Sequence, residues 1–196
     1  MEINSRQNTR IFLALPVDEK YHKAITELQS ELMLDLEHLP HSIRWTQPQR
    51  LHLTLFFLGR HSQRTIQRLV KELTKIDFSA LPPIEFFCNQ IQLFPQIKPT
   101  VVALTGKTHS SLKLLRESVG HCLEKANIHP DLSIESHGFL PHITLGKLEE
   151  PTDFKTQPTK ISLHFNELIL FKSEPIEPPR SPYVTHTALC QRRLSP

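Results

Sequence analysis

Apolar residues along the chain follow two periods, and the two alternate. Ile11 to Leu15 is a short apolar run, and Val101 to Leu104 is another. Each precedes apolar residues at helical spacing: Tyr21, Ile25, Leu28, Leu32 and Leu36 after Asp18, which can serve as an N-cap, and Leu112, Leu115, Val119, Cys122 and Ala126 after Thr108. A third helix is predicted from His61 to Ile76, capped by Ser62, with Ile66, Leu69, Val70, Leu73 and Ile76 as its buried stripe. Strands are predicted over Ile84–Phe94 and Ile161–Phe171, and a last one over Tyr183–Cys190. In the second of these, Ile161, Leu163 and Phe165 alternate with Ser162, His164 and Asn166, as in a sheet with one wet face. Proline clusters at Pro82-Pro83, Pro95–Pro99, Pro151–Pro158 and Pro175–Pro182 break the chain into elements without isolating a second domain. The pattern implies an α+β fold with antiparallel sheet.

Two further segments are short strands with a polar face: Leu51-His52-Leu53-Thr54-Leu55 and Pro141-His142-Ile143-Thr144-Leu145. Side chains two apart on a strand share a face, so His52 lies beside Thr54 and His142 beside Thr144, with apolar residues on the other face. Random placement supplies roughly one His-x-Thr in a chain of this composition, and about 0.1 once apolar residues must follow both His and Thr. Two such matches exceed chance.

The motifs stand 90 positions apart, and the apolar runs and helices before them repeat at about the same offset. Each half reads strand, helix, strand with His-x-Thr, which is the signature of a duplicated unit. Two such halves packed about a pseudo-two-fold axis make two lobes, each an antiparallel sheet flanked by helices, with the His/Thr faces meeting in the cleft between them.

Composition narrows the setting. At 196 residues one domain is expected, with residues 1–9 as a loose polar tail and 10–193 as a single bilobal domain. No apolar run reaches membrane-span length, and the start of the chain lacks an apolar signal region, so a cytoplasmic location is expected. Cys88, Cys122 and Cys190 are scattered and form no CxxC, which fits a reducing compartment. The net charge of +3 permits a polyanionic partner. Arg60, Arg64, Arg68 and Lys71 form either a solvated helix face or a phosphate-contact surface. There is no phosphate-cradling glycine loop.

Paired imidazoles suit acid–base chemistry near neutral pH. In a phosphate diester, attack and departure take opposite sides of phosphorus, so one imidazole is needed per side. The hydroxyls of Thr54 and Thr144 can donate to the non-bridging oxygens. Lys147 falls on the Ile143/Leu145 side of an ideal strand, and a bend at Gly146 is needed to bring it to the cleft. Phe56 and Phe139 can stack a terminal base, although core packing is the commoner role for either. A metal centre is the rival reading, since there are 12 histidines and His137 is near His142, but no HExxH occurs and the acids are not at ligand spacing. Other histidines, such as His22, His109 and His186, read as surface or capping residues.

These segments resemble the two-histidine (2H) phosphoesterases, and within them the RNA 2′,3′-cyclic phosphodiesterases historically called 2′-5′ RNA ligases. The resemblance runs from Arg10-Ile11-Phe12-Leu13-Ala14-Leu15-Pro16 through Leu51–Gly59 and Phe139–Leu145 to Tyr183. It implies a bilobal fold, no metal or other cofactor, and hydrolysis of a 2′,3′-cyclic phosphate at an RNA 3′ end to a 2′-phosphomonoester. His52 would be the proton donor and His142 the proton acceptor, with Thr54, Thr144, Lys147 and Phe139 binding substrate. Implied partners are RNA ends, including tRNA fragments, or cyclic nucleotides, handled by a monomer with no membrane. Weak joining of RNA ends is the reverse step. The chain departs from the family in carrying His137-Gly138 where an arginine is common, and Lys147 where arginine is also common. Two alternatives stand beside this reading: a 2H enzyme for a small cyclic nucleotide or ADP-ribose cyclic phosphate, and an RNA-end-binding module without turnover.

Overall fold

The computed structural model describes residues 8–36, 43–94, 100–130, 138–150, 154–175 and 184–194. Strand β1 (Thr9–Pro16) is followed by a 3-10 turn and helix α1 (His22–Asp35), then β2 (Ile43–Trp45), β3 (His52–His61) and α2 (Gln63–Leu73). The rest comprises β4 (Ile84–Phe94), β5 (Val101–Lys107), α3 (Ser110–Lys125), β6 (His142–Leu148), β7 (Gln157–Phe165), β8 (Glu167–Pro175) and β9 (Val184–Arg193). No helix among the described residues is long and apolar enough to cross a membrane.

The described strands form one antiparallel sheet in the order β7-β4-β5-β6-β3-β1-β8-β9, with β2 paired to β6 outside that path. Its two halves, β3-β1-β8-β9 and β6-β5-β4-β7, are joined by a single register pair, Leu53 opposite Ile143. The two lobes expected from the repeat are these halves, continuous at one point. Beneath them Leu13, Leu15, Leu53, Leu104, Ile143 and Leu145 are all fully buried, each stabilising the fold by about 1.5–3 kcal/mol.

Local signals act largely where the sequence places them. Asp18 accepts from the Lys20 amide to open the turn before α1, and Ser62 accepts from Thr65 to cap α2. His109 caps α3 through the Ser111 amide. Helix α2 stops at Leu73, short of Ile76, which still packs against the core. The strand expected over Ile161–Phe171 is two strands, broken at Asn166: β7 pairs with β4 in one half and β8 with β1 in the other. Alternation within each piece conceals this change of partner. Strand β2 is too short to show a period. Tyr183, expected in the last strand, and His137 lie outside the described residues.

Candidate active site

The residue that joins the half-sheets is the middle residue of each motif. Leu53 opposite Ile143 places His52 across from Thr144, and Thr54 across from His142, by antiparallel register. Leu51, Leu53, Leu55, Ile143 and Leu145 are buried on the far face, while His52, Thr54, His142 and Thr144 are half-buried and line one cleft of about 420 Å³.

The two imidazoles are held alike. His52 Nδ1 lies 2.8 Å from the Arg50 carbonyl oxygen, and His142 Nδ1 lies 2.9 Å from that of Leu140. A carbonyl only accepts, so each Nδ1 carries the proton and each Nε2 is free to exchange one. Aromatic rings brace both: Phe94 stacks on His142 at 4.1 Å, and Phe12 lies 5.3 Å from His52. Burial pushes the His52 pKa down to about 4, with repulsion from His142, Arg50 and Lys147 adding to it and the Arg50 carbonyl opposing. Burial also lowers His142, against the Leu140 carbonyl. Without an anion, both rings are neutral at pH 7.

Each motif is followed by a β-bulge at the same place. Against β1 the register steps from Thr54 to Phe56, and against β5 from Thr144 to Gly146, so Leu55 and Leu145 are the extra residues. The extra residue reverses parity. It is this bulge, and not a bend at Gly146, that brings Lys147 into the cleft beside Thr144; in the other half it brings Phe57. Gly146 serves a different need, because a Cβ there would sit 2.6 Å from the Ile43 side chain of β2. The bulged carbonyls are capped across the halves: Gln29 of α1 donates to Leu145 O at 2.8 Å, and Arg116 of α3 donates to Leu55 O.

The cleft is cationic. Arg10, Arg44, Arg50 and Lys147 line it, and among the described residues no Asp or Glu does. Burial, then repulsion from Arg44, Arg50 and Arg10, lowers the Lys147 pKa. The Arg50 guanidinium is anchored to the Val184 carbonyl at 2.8 Å. Such a surface favours an anion over any cationic ligand. Among the described residues, no group of three or more His, Cys, Asp or Glu side chains is gathered as a metal ion would require.

Several expectations change. Phe56 and Phe139 do not line the cleft; they sandwich the Arg116 guanidinium, at 4.0 and 4.2 Å. The aromatic rings at the cleft are Phe12, Trp45 and Phe57. His186, read as a surface or capping residue, stands in the cleft, its ring 5.6 Å from His52 and 4.9 Å from Phe12. Burial, His52, Arg50 and Lys147 push its pKa down to about 4. No local motif marks His186; only the pairing of β9 to β8, with His186 opposite Ser173, carries it there. Arg64 and Arg68 lie outside the cleft lining.

The LigT-like phosphoesterase family model matches residues 15–103, a span that includes the first motif and ends before the second. A protein of Archaeoglobus fulgidus named RNA 2′,3′-cyclic phosphodiesterase is 26% identical over 141 residues, covering 71% of this chain and 73% of that one. A protein of the same name from Thermotoga maritima is 28% identical over 141 residues, covering 71% and 70%. The crystal structure of E. coli LigT complexed with 3′-AMP shares the fold at a TM-score of 0.71 and 18% identity, covering 97% of this chain and 99% of that one.

Proposed function

We propose that this chain, a LigT-like phosphoesterase by family match and by fold, hydrolyses 2′,3′-cyclic phosphate ends of RNA to 2′-phosphomonoesters. The observation that carries the reading is the matched pair of imidazoles. Each has its Nδ1 tied to a carbonyl and its Nε2 free, in a cleft whose described Arg and Lys side chains supply positive charge with no Asp or Glu among them. Curated relatives bearing that activity in their names support the substrate class.

In this reading His142 Nε2 takes a proton from water as the water oxygen bonds to phosphorus. The bond from phosphorus to the 3′ oxygen breaks, and His52 gives that oxygen its proton. His52 ends neutral and His142 protonated, and solvent exchange restores the pair. Thr54 and Thr144 donate to the non-bridging oxygens, and Lys147 offsets the charge that builds there. Each positioned imidazole contributes about 10² to 10⁴ in rate. The depressed His52 pKa assigns the substrate a part in its own turnover: the phosphate's negative charge raises His52 and charges the donor only when substrate is bound.

The reaction needs no metal or cofactor. The protein works as a monomer in the reducing cytoplasm, on RNA ends such as those of tRNA fragments, and joins such ends weakly in reverse. Incubation with cytidine 2′,3′-cyclic phosphate tests the reading; the 2′-monophosphate is expected. Turnover of ADP-ribose 1″,2″-cyclic phosphate alone would move the activity to a small metabolite. Binding without product would leave an RNA-end-binding module.

A further inference from the structure

A second cavity of about 330 Å³ adjoins the cleft, and the two share Gln47, Arg50, His52, Val184 and His186. It lies between the turn before β3 and the start of β9. Its own walls are of two kinds. Pro16, Leu51 and Phe171 give it apolar surface, and Gln49 and Thr185 give it neutral hydrogen-bonding groups. Among the described residues no acid lines it. At the junction stands Arg50, held to Val184 O at 2.8 Å, so a cation is fixed where the two cavities meet. His186 lines both, with its ring edge on Phe12 and on His52. It has no hydrogen-bond partner among the described residues.

Apolar walls with an amide and a hydroxyl among them match the flat face and polar edge of a nucleobase. A fixed arginine where the two cavities meet matches the phosphodiester that precedes the terminal nucleoside along a strand. We propose that this second cavity is a subsite for the nucleotide preceding the cyclic-phosphate end, with Gln49 and Thr185 meeting its base and Arg50 its bridging phosphate. The inference rests on the hydrolase reading above and adds to it a preference for chain length.

The experiment compares cytidine 2′,3′-cyclic phosphate with a dinucleotide ending in the same group. Gln49 and Thr185 line only the second cavity, so Gln49→Ala with Thr185→Val leaves the catalytic residues in place. The wild-type kcat/KM is expected to be about tenfold higher for the dinucleotide, since one or two net hydrogen bonds supply roughly that factor. The double variant should lose this advantage and keep wild-type turnover of the mononucleotide. Equal turnover of the two substrates by the wild type, or an advantage that survives the double variant, overturns the subsite and leaves the hydrolase reading standing. No turnover of either substrate overturns both.

Discussion

The side-chain amide of Gln29 on α1 donates to the carbonyl of Leu145, the bulged residue of the opposite half of the sheet, at 2.8 Å. The same amide nitrogen lies 2.9 Å from Thr46 O. Arg116 on α3 does the reciprocal service for Leu55. Gln29 is only 6% exposed, and an amide so buried needs partners. It finds them at the backbone step that turns Lys147 toward the cleft.

Gln29→Leu should therefore act at a distance. It leaves Thr46 O without its side-chain donor and Leu145 O with only the Thr46 amide, 2.8 Å away. A stability loss of about 1–3 kcal/mol is expected in urea unfolding, with a raised KM as the bulge relaxes and Lys147 shifts. An unchanged KM would show that the bulge holds its shape without Gln29.

His52→Ala and His142→Ala should each lower kcat for cyclic-phosphate hydrolysis by about 10² to 10⁴. Both rings are half-buried at the rim of the core, so the circular dichroism of the variants should match the parent. Near-normal turnover by either would remove that imidazole from the chemistry.

The pH profile follows from the direction of the shifts. Free His52 carries a proton only near pH 4 and below, and His142 is also displaced downward from 6.5. The form with one charged and one neutral imidazole thus lies on the acid side, so kcat/KM should peak below pH 6.5 and fall as pH rises. The profile of kcat should lie at higher pH, because bound phosphate raises His52. Coincident profiles would mean that the substrate does not charge the donor.

Lys147→Ala should raise KM about tenfold or more by removing a charge-assisted phosphate contact, while Lys147→Arg should retain most of the affinity. Equal losses in the two variants would point to packing and not to charge.

Activity should persist in excess chelator, since neither imidazole needs a metal to exchange a proton. Loss of turnover on chelation, restored by a divalent ion, would return the metal reading.

What the chain discloses before folding depends on whether a feature is local. The His-x-Thr faces, the Ser62 cap and the strand at Ile84–Phe94 follow from neighbours in sequence, and the structure contains them. The repeat at 90 positions predicts that the two motifs meet, and Leu53 opposite Ile143 is where they do. Long-range pairing is different. His186 reaches His52 only because β9 runs beside β8, and no spacing rule connects them. The bulges at Leu55 and Leu145 have no composition of their own, so the sequence puts Lys147 in the cleft only by a bend at Gly146, where the structure uses the register step at Leu145. Phe139 shows the limit of reading a ring by its nearness to a motif: Arg116, 23 positions away, takes its face.

The exchange of caps between the halves bears on ancestry. A single unit of strand, helix and His-x-Thr strand, standing alone, would hold one imidazole and a bulge with no donor for its carbonyl. Its helix would carry a donor with nothing to cap. Two copies side by side satisfy both at once. The smallest arrangement with both imidazoles and both bulges capped is therefore a pair of units, and within one chain the two need not be identical: Lys147 stands in one wall of the cleft and Phe57 in the other.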